Sequence, residues 1–196
     1  HILRFDGHSS LPPNYITKLL ISHGHYSAAC IGGRISTIGN RKPIGRSISV
    51  AQSSIFGVGG SKFRLNNSLN EGLIEVDTLA FGMYRRDIFS KYGLFDEDMS
   101  GSEDDEFHYR LTSNKEKILL DQSLLMDYHS RVDYFQLFKQ YFFYGFYKIL
   151  FFQKTKSIAT FRSVVPLLVV IAFFTLLMVA FMYEWYQPLL FSVQLY

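Results

Sequence analysis

Apolar and polar positions alternate in short blocks over the first two thirds of the chain, then give way to a long apolar tract. Residues 1–5 (HILRF) read as a strand that stops at Asp6-Gly7-His8. Residues 11–14 (LPPN) carry the prolines of a helix's first turn, and Tyr15, Ile16, Leu19 and Leu20 share one helical face as far as His23. Residues 26–33 form a short apolar run ending in two glycines, which predicts a strand. The basic, Gly- and Pro-containing stretch 37–46 predicts a loop, 48–56 a helix, and the Gly- and Asn-rich stretch 56–70 a long loop. Residues 74–84 alternate weakly, as a strand does. A short helix over 86–92 closes at Gly93, and an acidic loop covers 94–101. Ser102 opens a helix to about Asn114, and 117–120 is a strand. Strands interleaved with helices, without internal repeats, predict an α/β domain.

The pattern changes at Tyr134. Residues 140–152 read QYFFYGFYKILFF, with Lys139, Lys148 and Lys154 in and around them. That mixture suits a helix lying in a membrane interface. Aromatic rings also stack on sugars, so an acceptor channel is the alternative. Residues 164–183 form an uncharged run of 20 residues, and about 20 such residues cross a bilayer core of roughly 30 Å as a helix. A buried core helix is the other reading, while a signal peptide is excluded by position. Lys148, Lys154, Lys156 and Arg162 precede the run, and Glu184, Trp185 and Tyr186 follow it. The positive-inside rule then places residues 1–162 on the cytoplasmic side. The expected layout is a globular part over 1–133, amphipathic interfacial helices over 134–162, a transmembrane helix over 163–184 and the truncated start of a further membrane segment over 185–196. The chain opens inside a strand, without Met, and stops within an apolar stretch, so a fragment of a longer protein is expected.

Composition narrows the classes. With 48% hydrophobic and 19% charged residues in 196, the chain is too apolar to be disordered. A net charge of +3 is too mild to call for nucleic acid. The single cysteine, Cys30, excludes an internal disulfide and a cysteine-rich zinc module, and agrees with a cytoplasmic setting.

Two segments carry candidate chemistry. Asp6-Gly7-His8 lies at a strand's carboxyl end, where open α/β sheets bind ligands. A carboxylate and an imidazole two residues apart in a turn can converge on one cation, and suit Mn²⁺ better than Ca²⁺. An Asp-Gly turn beside a chance histidine is the alternative. The second segment is SEDDEFHYR, Ser102 to Arg110. Ser102 and Asp105 have the spacing of a capping box, which sets Glu103, Asp104 and Asp105 in the first helical turn, where the helix dipole favours negative charge. Helix capping alone would account for part of it. Four successive acids exceed a cap, because mutual repulsion raises their pKa values, and a carboxylate so placed can act as a general base. Asp77, in EVDT, is either a site residue or half of a strand-end polar pair. The stretch 57–62 (GVGGSK) lacks phosphate-loop spacing and reads as a flexible loop. His23 and His25 have no third ligand near in sequence and read as a surface turn.

Taken in order, Asp-x-His after a strand, VDT with FGMYRR, GLFDED, EDDEF-x-x-R and a Gln-x-x-aromatic helix before a membrane run resemble glycosyltransferase family 2. These are inverting enzymes of GT-A (Rossmann-like) fold. The likeness is in particular to membrane-anchored members of polysaccharide synthesis such as succinoglycan-type glucosyltransferases, and it spans roughly residues 1–165. It implies the C-terminal part of a GT-A domain, with the nucleotide-binding strands lying upstream, so that the fragment alone would be inactive. Asp6 and His8 match the family's Asp-x-Asp, His8 replacing the second acid; that motif holds Mn²⁺ or Mg²⁺ and the donor's diphosphate. Asp104 falls on the catalytic base, with Glu103 beside it, and Asp77, Arg110 and Gln140 become donor or acceptor contacts. The Gln-x-x-Arg-Trp motif falls on 140–144, with Phe143 for Arg and Tyr144 for Trp, which points to single-sugar transfer instead of processive synthesis. The implied partners are a nucleotide-sugar (a UDP-sugar), a glycan or polyprenyl-linked acceptor and the inner membrane. The catalytic part would sit on the cytoplasmic side, serving extracellular or capsular polysaccharide synthesis. The basic stretch 41–46 would face anionic lipid or a lipid diphosphate, or simply be solvated. A different class stays open: a non-catalytic, membrane-tethered carbohydrate-binding or scaffold subunit that uses the aromatic helix. A metal-dependent hydrolase of lipid-linked phosphates would need more His or Asp ligands than the pattern places.

Overall fold

The structure, a computed structural model, describes residues 1–40, 42–54, 61–64, 72–157 and 164–193. Arg41, Arg162, residues 57–60 of the glycine-rich stretch and most of the expected loop 56–70 lie outside the described residues. The chain divides into two units, His1–Ala159 and Thr160–Tyr196.

The first unit is built on a mixed sheet of β1 (Ile2–Leu3), β2 (Ser9–Ser10), β3 (Cys30–Ile38), β4 (Leu73–Glu75), β5 (Met83–Tyr84) and β6 (Ile118–His129). Its order is β1-β5-β3-β6-β2, and β4 also pairs with β6. β3 and β6 run parallel and form its centre, while the other pairings are antiparallel. Both central strands are apolar because the sheet is covered: Cys30, Ile31, Ile35, Ile118, Leu120, Leu124 and Met126 are buried. β4 and β5 lie on opposite sides of the β3–β6 pair, so residues 76–82 cross over both central strands. Gly32 makes that crossing possible, since a Cβ there would lie 2.2 Å from the Phe81 carbonyl oxygen.

The α-helices among the described residues of this unit are α1 (Tyr15–His25), α2 (Pro43–Ser53), α3 (Arg86–Tyr92), α4 (Glu103–Ser113) and α5 (Tyr134–Thr155). An aromatic cluster of Tyr84, Phe89, Phe95 and Phe107 joins β5, α3 and α4, with Phe89 and Phe107 stacked at 5.2 Å. This cluster fixes α4 and so aims its acidic first turn.

The α/β expectation holds, and α1, α3 and α4 fall where the sequence places them. Four elements differ. The strand expected over 26–33 is β3, Cys30–Ile38: its glycines are a point of close backbone approach within the strand, not its end. The helix expected over 48–56 is α2, which begins at Pro43 because proline suits a first helical turn. The single strand expected over 74–84 is β4 and β5 joined by the crossover. The strand expected over 117–120 continues to His129. Its alternation is broken at residues 121–123, where the β3–β6 register shifts: Gly33 pairs with Asp121 and Arg34 with Leu125.

In the second unit, α6 spans Val165–Val193 and continues through Pro188. Its stretch Val165–Tyr183, 19 residues, is long and apolar enough to cross a membrane.

Candidate active site

Beyond β1, Arg4 stands at the centre of an acidic group. Its backbone N–H donates to the Gly82 carbonyl at 3.0 Å, which ties it to β5. Its guanidinium donates to the Ala80 carbonyl at 2.8 Å, to Asp104 Oδ2 at 3.2 Å and to Glu103 Oε1 at 2.5 Å. Asp6 Oδ1 lies 3.9 Å away on the same guanidinium. Burial disfavours the charge on Arg4, but Asp104, Glu103 and Asp6 outweigh it and keep Arg4 protonated. The structure therefore brings Asp6, Glu103 and Asp104 around one cation.

The expected capping box does not form. Ser102 occupies the N-cap of α4 but its side chain makes no capping hydrogen bond. Asp105 turns instead to the crossover and to α5. Its Oδ1 accepts from Thr78 Oγ1 at 3.2 Å, and its Oδ2 pairs with Lys148. Beneath it, Thr78 also lies 3.0 Å from His108 Nδ1. His108 Nδ1 accepts from the Leu79 N–H at 3.3 Å, so the ring proton sits on Nε2, 2.8 Å from the Tyr84 hydroxyl. The Tyr84 hydroxyl bonds Cys30 in turn. Burial pushes the His108 imidazole down to about 4, so it is neutral at physiological pH.

Neighbouring carboxylates thus meet opposite fates. Burial pushes Asp104 up to about 7; Asp105 and Glu103 add to the rise, and Arg4 opposes it. Burial also acts on Asp105, but Lys148, His108 and the Thr78 hydroxyl outweigh it and hold that carboxyl below its usual value. Asp104 keeps 24% of its side chain exposed, so a substrate hydroxyl can reach it. A reachable carboxylate whose proton affinity is raised in this way can act as a general base.

A second group adjoins the first. Tyr128, near the end of β6, packs edge-on against the His8 ring at 4.9 Å and carries the Arg64 guanidinium 5.0 Å from its centroid. Gln140 Nε2 on α5 donates to the Tyr128 hydroxyl at 3.4 Å and to the Tyr144 hydroxyl at 3.1 Å. Tyr144 is near enough to Tyr128, Arg64 and Asp104 for their charges to act on its hydroxyl, which links the two groups.

The other sequence-level candidates are placed differently. The Arg110 guanidinium holds Glu106 and the carbonyls of Tyr92, at 2.6 Å, and Leu94, at 3.1 Å, bracing the loop before the acidic turn. Asp77 is exposed, one residue from Thr78. Among the described residues no three His, Cys, Asp or Glu side chains gather into a cation site. Asp6 and His8 supply an oxygen and a nitrogen donor of the right chemistry, and a bound cation would take its remaining ligands from a diphosphate. The Asp77–Thr78 pair enters the site through Thr78, while sequence reasoning missed Arg4, Tyr84, His108 and Lys148. Their partners are distant in the chain, although the isolated Arg4 in a strand-like apolar run was a legible oddity.

No family model and no solved structure matches this chain. The chain is 29% identical over 181 residues to the succinoglycan biosynthesis protein ExoA of Rhizobium meliloti (strain 1021), an alignment that covers 90% of this chain. It spans about half the length of that protein, 52%. The relative's name is that of a succinoglycan biosynthesis protein.

Proposed function

We propose that this chain is part of a membrane-anchored, inverting glycosyltransferase of family 2, moving one sugar from a nucleotide-sugar to a glycan or polyprenyl-linked acceptor in polysaccharide synthesis. The observation that carries the reading is Asp104: a reachable carboxylate raised toward neutrality, held between Arg4 and Asp105 at the N-terminus of α4. The likeness to the succinoglycan biosynthesis protein supports the same reading.

In this account Asp104 takes the proton of an acceptor hydroxyl. The hydroxyl oxygen bonds to the anomeric carbon as the bond from that carbon to the diphosphate breaks, so configuration inverts and a nucleoside diphosphate leaves. Arg4 holds Asp104 and Glu103 in place. A divalent cation, Mn²⁺ or Mg²⁺, held by Asp6 and His8, would offset charge on the leaving diphosphate. Tyr128, Gln140 and Tyr144 offer rings and an amide to a sugar. The globular unit lies on the cytoplasmic side, following the basic residues before α6.

Asp104→Asn in the complete enzyme tests it. Transfer of radiolabelled sugar from the nucleotide-sugar falls about 10²–10⁴-fold, while metal-dependent donor binding, followed by calorimetry, stays. Substantial turnover in the variant removes Asp104 as base.

A further inference from the structure

Helix α5 presents two unlike faces. Gln140, Tyr144, Tyr147, Lys148, Phe151 and Lys154 recur at helical spacing and meet the domain. The Tyr147 hydroxyl bonds Ser100 at 2.7 Å, Phe151 is buried against Tyr109, and Lys154 pairs with Asp96 and Asp98. In the middle of this face Lys148 pairs with Asp105.

We infer that Lys148 is a positioning residue for the proposed base: it neutralises Asp105, so that of the two adjacent carboxylates Asp104 takes up the acceptor's proton. The inference rests on the reading of Asp104 above. Arg4 reaches Glu103 and Asp104, whereas the cation on Asp105 comes from α5. Besides Lys148, Asp105 faces the ionisable Asp104 beside it, the Thr78 hydroxyl and the His108 imidazole. Asp104 itself faces Arg4 from beyond β1, with Asp6 behind that guanidinium. It faces Tyr84 from β5, Glu103 and Asp105 from α4, and Tyr144 from α5. Without Lys148 the two carboxylates would compete for one proton and retain it to higher pH. Proton uptake at the site therefore depends on α5 being seated.

The test uses the full-length protein in detergent or nanodiscs with carboxyl-labelled aspartate, the two resonances assigned through Asp104→Asn and Asp105→Asn. In Lys148→Met the Asp105 carboxyl binds its proton about tenfold or more tightly. The acid limb of the kcat/KM profile for sugar transfer moves to higher pH by a matching factor. Lys148→Arg restores both. In the Asp105→Asn background Lys148→Met leaves the Asp104 titration where Asp105→Asn alone set it. Lys148→Gln, which keeps the stem without the charge, replaces methionine where α5 unseats. Unchanged titrations in the charge-free variants overturn the inference, as does an equal shift of Asp104 in the Asp105→Asn background. If the wild-type protein transfers no sugar, the titrations still decide the role of Lys148, and only the assignment of Asp104 as base falls.

Discussion

Two aspartates joined by one peptide bond differ because of what reaches each from elsewhere in the chain. Asp104, raised to about 7, binds its proton more tightly folded than unfolded. That stability is complete below the ordinary carboxylate value and is lost as pH rises through the folded value. At pH 8 the ionised carboxylate therefore opposes folding. Asp104→Asn removes it and should stabilise the protein by about 1–2 kcal/mol, allowing for the solvent that reaches the group. At this chain length that raises Tm by about 2–4 °C for each kcal/mol. The gain should shrink toward pH 4. His108, lowered to about 4, acts oppositely: its contribution is lost as pH falls from the unfolded value toward 4. Asp104→Asn should accordingly show the steeper loss of Tm on acidification. A variant stabilised at pH 8 and inactive is the signature of a strained functional group; one merely inactive and less stable would mark Asp104 as structural. The acids were legible in the sequence because four stand in succession. Their division of labour was not, because Arg4 lies 100 residues from Asp104 and Lys148 lies 43 from Asp105.

At the scale of elements, the site depends on a crossover that lies flat across the sheet. Residues 76–82 deliver the Thr78 hydroxyl to Asp105 and the Ala80 carbonyl to Arg4. Gly32 in β3 allows this, because the nearest obstacle to a Cβ is the Phe81 backbone, which has no rotamer to escape into. Gly32→Ala should therefore cost about 1–3 kcal/mol as overpacking does, and lower transfer beyond what the fall in stability explains. Gly24→Ala on α1 meets nothing within 4 Å and is the control, gaining roughly 0.5–1 kcal/mol from helix propensity, with transfer unchanged. Thermal melts and initial rates on the pair separate the two effects. Helices α1, α3 and α4 were readable because their periodicity and stop signals are local. The strands were less so. Gly32 of β3 signals close approach by the Phe81 backbone, about 50 residues away, and the polar break in β6 is a register shift visible only beside its partner.

At the scale of the molecule, the chain couples a globular unit to a helix fit to cross a membrane. The apolar run was readable because a bilayer demands about 20 residues without charge and leaves little room for another pattern. The proposed sidedness rests on the basic residues ahead of α6, and vesicle labelling measures it. The chain supplies a clean background for it. Cys30 is fully buried, and burial pushes its thiol up, so it presents little thiolate to a reagent. Ser113, at the exposed end of α4, accepts a cysteine without disturbing the core. In sealed right-side-out vesicles a membrane-impermeant maleimide should leave Ser113→Cys unlabelled, and in inverted vesicles it should label it. The parent protein, with any cysteine outside these 196 residues replaced by serine, should remain unlabelled in both. Labelling from outside would place the acidic turn away from the cytoplasmic nucleotide-sugars that the proposed reaction consumes. The transferase reading would then fail for reasons of supply, whatever the chemistry of Asp104.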